Sequence, residues 1–453
     1  MSKSLNVAVI GGGITGLTAA YQLKKNGAKV SVFESSEHIG GMLQSSIDEN
    51  WLAESNYGLI FNNSDRFRSL IDELEMRDDL LDLRPAHRKR FYASSGKLKR
   101  LPNSVWGAIF SSYLPFSVRF KLFSGFLTKK SPSEDDTLAQ FIERYLGPKA
   151  LPYLAEPLAS ILYAGNMDTL RVKHAFPELF ERTQKKQSLT KAISATLKSR
   201  KISLSKPAMV GFRNGFQSLA GTLANHLEEE IIYQATVKDI KKQQNQWVLT
   251  IQIGTETRYY VCDKVILTIP AYELSTIQIE GKNNRDLKEI AALPYAPLAV
   301  INMGFKRNEV GNSLNGAGFW VPDSEGESFL GVVYTSSLID ERTPGGYELI
   351  TVFLGGPRNA DLVNQPMNLV KTQVIKDLNR YLQIRAYPQY VKPYVFTKAI
   401  PQFDAHYDTI LRHIQAFEEK HREIYLAGQY RYGIGLVRCI EKAMDTADSL
   451  LPS

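Results

Sequence analysis

The sequence predicts a mixed α/β (α+β) protein built around a parallel sheet, and three observations predict it. An apolar run, Asn6 to Ile10, passes through a glycine turn into helical spacing and then into a second β run. Alternating, β-branched stretches return in number after a mostly helical middle block. The C-terminal segment then repeats the opening order of strand, glycine-rich turn and helix.

Each element follows from its residues. Asn6 to Ile10 is short and apolar, as a strand covered on both faces is. Ile14 to Asn26 sets Leu17, Ala20 and Leu23 on one side of a helix that Gly27 stops, and Lys29 to Glu34 is the second strand. Leu138 to Leu146, Ala150 to Leu162 and Ser188 to Ser199 read as helices of a block that begins near Pro102. Ile231 to Ile240, Trp247 to Ile253, Arg258 to Val261 and Lys264 to Ile269 alternate like a small antiparallel sheet with a turn near Asn245. A second β-rich stretch covers Leu298 to Phe305, Gly318 to Val321, Leu330 to Thr335 and Glu348 to Leu354. Ile424 to Ala427 is the closing strand, and a helix runs from about Val437 to Leu451.

No repeat or linker separates these blocks, so interleaved domains are expected. Residues 1–80, 207–275 and 396–453 would bind a dinucleotide, 81–101 and 276–395 would bind substrate, and 102–206 would form a helical subdomain.

Composition narrows the function classes. The 453 residues are 43% hydrophobic, enough for a sizeable core and two or three domains. The formal charge of +8 suits anionic partners without choosing among them, and no nucleic-acid partner is expected. Two distant cysteines, Cys262 and Cys439, support neither a disulfide framework nor a metal site. The N-terminus lacks the regions of a signal peptide, so a cytoplasmic location is expected. Pro102, Pro115 and four serines break the longest uncharged stretch, Leu101 to Val118, so it is no spanning helix. Trp106, Ile109, Phe110, Tyr113, Leu114, Phe116, Phe120, Leu122 and Phe123, interspersed with Arg119 and Lys121 and followed by Lys129 and Lys130, read either as a buried helical pair or as a face lying on a membrane. Monomer and homodimer both stay open.

The turn itself carries chemistry. Gly11-Gly12-Gly13-Ile14-Thr15-Gly16 follows a strand and opens a helix, so its glycines permit a tight turn and close approach of a pyrophosphate to the helix N-terminus. Glu34, followed by Ser35, ends the second strand roughly 20 residues on, where a carboxylate accepts hydrogen bonds from ribose hydroxyls. A carboxylate there disfavours a 2′-phosphate, hence NADP. Gly40-Gly41-Met42 and the distant Gly428 to Gly435 segment, with Gly433 and Ile434, favour FAD, whose ribityl chain and isoalloxazine need a second glycine-rich turn.

With those residues in hand, the chain resembles the protoporphyrinogen and coproporphyrinogen oxidases, within the wider amine-oxidase-like flavoproteins. The resemblance runs nearly end to end, through Arg90 to Pro102, Glu156 to Asn166, Ala175 to Pro177, Gly215 to Leu219, Leu330 to Ser337, Thr351 to Gly356, Ala399 to Gln402 and Gly428 to Cys439. The Tyr163-Ala164-Gly165 turn and the Tyr334 to Ser337 strand are its narrower marks. It implies a Rossmann-type FAD-binding domain, an interleaved β-sheet substrate domain and a helical subdomain.

By the same resemblance Arg90 pairs with a substrate propionate, Gly165 lies near the tetrapyrrole, and Val321, Leu330 and Ile350 help to sandwich it. Ser55, Asn56, Tyr57 and Gly58 form the flavin loop, with Val237 and Phe396 as further cofactor contacts. Read alone, Arg90 is a surface cation in Arg88-Lys89-Arg90 and Gly165 a helix C-cap. Three departures stand out: Ser55-Asn56 where the family has Gly-Pro, Phe396 where bacterial relatives carry tryptophan, and Val437-Arg438 for a common Pro-Asp.

The activity implied is oxidation of protoporphyrinogen IX to protoporphyrin IX in three two-electron steps, with oxygen as acceptor. No residue is assigned a catalytic role, because the chemistry is the flavin's; His87, His174 and His406 read as solvated or structural. Alternatives are coproporphyrinogen III as substrate, an amine- or polyene-oxidising enzyme, and a non-catalytic escort protein of the same fold.

Overall fold

The computed structural model describes residues 4–61, 63–124, 130–185, 188–199 and 209–451. Val7, Ala8, Val9 and Ile10 are all buried, as expected of a strand covered on both faces. They sit in the middle of a five-stranded parallel sheet ordered Ile231–Ile232, Lys29–Phe33, Asn6–Ile10, Lys264–Leu267 and Ile424–Leu426. Three distant stretches of chain therefore build one layer. The helices Ile14–Lys25 and Leu436–Leu450 lie on it side by side.

This corrects one expectation. Neither Lys264–Leu267 nor the start of the Ile231 to Ile240 run joins the small antiparallel sheet: Lys264–Leu267 pairs in parallel with Asn6–Ile10, and Ile231–Ile232 with Lys29–Phe33. Val265, Ile266 and Leu267 are wholly buried, so no polar alternation betrays which sheet they belong to. The small sheet keeps Ala235–Gln243, Gln246–Ile253 and Glu256–Cys262, with two short strands at its edge.

The third layer is a seven-stranded sheet ordered Tyr390–Pro401, Tyr295–Lys306, Tyr347–Gly355, Gly331–Val333, Gly318–Trp320, Arg90–Ser94 and Lys97–Arg100. One face takes the helix Met367–Leu382, whose Val370, Val374 and Leu378 pack on Phe319, Val332, Ile350 and Val352. The opposite face carries the cross-strand row Tyr92, Trp320, Gly331, Phe353, Val300 and Tyr394, set by the register of successive pairs. Thr335–Leu338 is a helical turn and not a continuation of the strand before it.

In the helical block, the expected helix from Ala150 to Leu162 divides at Leu154 into a 3-10 segment, Pro148–Tyr153, and the helix Ala155–Tyr163. Pro152 cannot donate an amide hydrogen bond, which favours the break. The aromatic stretch forms the helices Val105–Phe110 and Phe116–Ser124. It is two-faced: Ile109, Tyr113, Leu114, Val118 and Leu122 are buried, whereas Trp106, Phe110, Phe116, Phe120 and Phe123 are exposed, Phe110 by 76%. A fully buried pair is thus ruled out. Phe126 and Lys129 lie outside the described residues. Among the described residues no helix is long and apolar enough to cross a membrane.

Candidate functional site

The glycine turn is a cradle whose shape needs glycine at three positions, Gly11, Gly12 and Gly16. A Cβ on Gly16 would lie 2.0 Å from the Gly11 carbonyl oxygen, and one on Gly12 would lie 2.9 Å from Glu34 Oε2. A Cβ on Gly13 would meet nothing within 4 Å, so open space lies beside the start of the helix. Gly13 is the N-cap and offers no side-chain cap, which leaves the first amides of Ile14–Lys25 directed at that space.

Glu34 is held from two sides, its Oε2 accepting the Gly12 amide at 2.7 Å and its Oε1 the Ser36 amide at 2.9 Å. Fixed in this way, the carboxylate retains lone pairs for sugar hydroxyls. Ser35 is exposed next to it. Gly40 closes the cradle by donating to the Gly12 carbonyl at 2.8 Å, and Gly41 approaches Gly13 behind it. The strand bearing Val237 is tied to the same place, since the Ala235 amide donates to the Glu34 carbonyl, although the Val237 side chain itself is core.

A second uncapped helix start belongs to the neighbouring helix, Leu436–Leu450. Gly428 has a φ of 144° and Gly433 one of 94°, both reserved for glycine, and Gly435 caps Leu436–Leu450 without a side-chain hydrogen bond. Ile434, partly buried, packs against the core between them.

The loop after Trp51–Glu54 lies between these features and the large sheet. Ser55 Oγ donates to the Met42 carbonyl at 2.7 Å, and Asn56 Oδ1 accepts the Gly58 amide. Asn56 Nδ2 is buried with no partner among the described residues. Two uncapped helix starts, an open glycine cradle, a fixed carboxylate and an orphaned amide donor fit a flavin adenine dinucleotide, with its pyrophosphate at Gly11 to Gly16.

Glu54 anchors this loop, and sequence reading did not single it out. Its side chain is 2% exposed and accepts from Ser45 Oγ at 2.5 Å and from the Phe216 amide at 3.1 Å. Its backbone carbonyl accepts from Asn302 Nδ2 of the large sheet. Burial pushes its carboxyl up to about 7, against the pull of these donors and of Arg342.

Toward substrate, the structure separates the five expected residues. Leu330 packs with Ala164 beside Gly165, and its amide donates to the Phe353 carbonyl. Ala164, with a φ of 43°, is the left-handed C-cap of Ala155–Tyr163, so Gly165 is not the cap. Gly165 is instead pressed against Gln402, whose Oε1 lies 2.5 Å from where a Cβ would stand. Arg90 opens its strand on the same face as Tyr92, and burial pushes its guanidinium below its ordinary range. Ile350 and Val321 are not brought to this face: both are buried in the cluster under Met367–Leu382.

The face is occupied instead by Phe353, which sequence reading missed. Phe353 sits three strands from Arg90 and two residues further along, about 16 Å at ordinary strand spacing and rise. Gly331, between Trp320 and Phe353 in the row, contributes no side chain, so the floor there is flat. Phe396 lies on the same side, in a cluster with Phe353 and Tyr394. A flat apolar ring with an acidic arm matches such a floor with a cation at its edge. His174 is structural, its Nε2 paired with Asp408 Oδ1 at 3.0 Å.

Known proteins resemble this chain over nearly its whole length. A protoporphyrinogen oxidase 2 of Arabidopsis thaliana, chloroplastic/mitochondrial, is 28% identical over 98% of this chain and 93% of its own. A coproporphyrinogen III oxidase of Staphylococcus aureus is 24% identical, covering 100% and 99%. A crystal structure from Exiguobacterium sp. 255-15, provisionally named a protoporphyrinogen oxidase, superposes with a TM-score of 0.83 at 22% identity, covering 99% of both chains. The family model described as flavin containing amine oxidoreductase matches residues 14–451, and the chain belongs to that family of FAD-dependent oxidoreductases.

Proposed function

We propose that this chain oxidises protoporphyrinogen IX to protoporphyrin IX, with oxygen as the final acceptor. The observation that carries the reading is the shared sheet face bearing Arg90 and Phe353, beside a loop that lies against the cofactor cradle. When bound, FAD supplies the hydride acceptor. The residues of the chain bind and orient: Arg90 holds a propionate, Phe353 and Leu330 flank the macrocycle, and the apolar walls exclude water. No acid or base side chain has to act. Names of the relatives, which include both porphyrinogen oxidases, support the substrate class.

The exposed aromatics Trp106, Phe110, Phe116, Phe120 and Phe123, with Arg119 and Lys121 among them, favour a resting place on a membrane surface, where an apolar porphyrinogen dissolves. Two buried free cysteines are in keeping with a reducing cytoplasm on that membrane's near side. The deciding experiment offers both porphyrinogens to the FAD-loaded protein and follows porphyrin fluorescence. Preference for protoporphyrinogen is expected; strong preference for the tetracarboxylate would reassign the substrate to coproporphyrinogen III, and turnover of amines without porphyrin formation would overturn the reading.

A further inference from the structure

Tyr57 connects three parts of the molecule. It follows the flavin loop, its ring stacks on Phe353 of the large sheet with centroids 4.2 Å apart and planes 24° apart, and its hydroxyl donates to the Ile161 carbonyl at 2.7 Å. Ile161 belongs to the helix Ala155–Tyr163, whose end is pressed on the sheet: a Cβ on Gly356 would meet the Ala164 carbonyl at 2.7 Å. Tyr57 keeps 40% of its surface exposed, while its ring lies on Phe353 and its hydroxyl is bound to Ile161. Phe353, by contrast, is only 3% exposed, because Tyr57 covers it.

This arrangement is self-occlusion. The near-parallel packing of Tyr57 on Phe353 is the contact that a flat aromatic ligand would make with Phe353. The hydrogen bond to Ile161 holds the ring there and ties the helix to the loop, closing the space between them. We infer that Tyr57 is a specificity-determining gate: it covers the ring of Phe353, and a planar macrocycle reaches Phe353 by displacing it and breaking its hydrogen bond to Ile161. The inference rests on the porphyrinogen reading above for the identity of the ligand. It adds a selection rule, since only a ligand whose stacking exceeds that of one phenol ring plus one hydrogen bond opens the slot.

The test uses full-length, FAD-loaded protein, with protoporphyrin IX titrated as a fluorescent probe of the slot and protoporphyrinogen as substrate. Tyr57→Phe removes only the hydroxyl, and a neutral hydrogen bond of ordinary strength corresponds to about a fivefold change. Porphyrin Kd and KM should both fall about fivefold, each referred to the FAD content of the variant as read from its flavin absorbance. Tyr57→Ala uncovers Phe353 and should tighten porphyrin at least as much. Tightening on deletion of a native contact is a result that damage to the fold does not produce. Unchanged or weakened porphyrin binding in both variants, with a wild type that binds and turns over, would overturn the gate alone. A wild type that neither binds porphyrin nor oxidises porphyrinogen would remove the functional reading, and the gate with it.

Discussion

The Gly12 amide donates to Glu34 Oε2 at 2.7 Å, so the glycine cradle and the acid that ends the second strand form one unit and not two separate contacts. Replacing Glu34 by alanine removes both a ribose partner and the anchor of the turn. A hydrogen bond to a charged group contributes about 1.5–3 kcal/mol, so FAD affinity should fall roughly ten- to a hundredfold, measured by titrating apoprotein with FAD. Gly16→Ala should be more severe, because its new Cβ would collide with backbone and not with a movable side chain.

Glu54 sets a pH dependence of stability. Its carboxyl binds a proton more tightly in the folded protein, near 7, than in the unfolded chain, near 4.5. Stability is therefore fully present below the lower value and lost as pH rises through the higher one, amounting to about 3 kcal/mol. Denaturant titrations across this window should show the decline. Glu54→Gln keeps an acceptor for the Phe216 amide and should flatten it; an unchanged slope would show that Glu54 is not the titrating group.

Arg90 should separate substrate use from cofactor binding. In Arg90→Ala the loss of charge-assisted hydrogen bonds to a propionate, about 1.5–3 kcal/mol, should raise KM roughly ten- to a hundredfold while FAD stays bound. Unchanged kinetics would remove Arg90 from the site.

The aromatic ridge predicts vesicle binding. Each exposed phenylalanine that enters the interface contributes about 1.5–3 kcal/mol, so replacing Phe110, Phe116 and Phe120 together by serine should abolish sedimentation with anionic liposomes. Equal sedimentation of variant and parent would exclude this face.

What could be read in advance follows the physics. The opening strand, turn and helix were legible because glycine spacing and a terminal acid are local requirements of one ligand. Lys264–Leu267 was assigned to the wrong sheet because a strand buried on both faces shows no alternation, and its neighbour, Asn6–Ile10, is far away in sequence. The same cause hid Phe353 behind Ile350. From Leu349 to Gly355 every residue is buried, one face against a helix and the other against the flavin loop, and the one polar side chain, Thr351, is buried as well, so no solvent-facing position marks which side faces the slot. Glu54 carried no motif at all; its role exists only where Ser45, Phe216 and Asn302 converge.

The most direct test of the central claim is anaerobic. Protoporphyrinogen IX added without oxygen to FAD-loaded protein should bleach the visible flavin absorption as porphyrin appears, and admitting oxygen should restore it. Failure of the chain to take up FAD, or porphyrinogen that leaves the bound flavin's spectrum unchanged, would contradict the account.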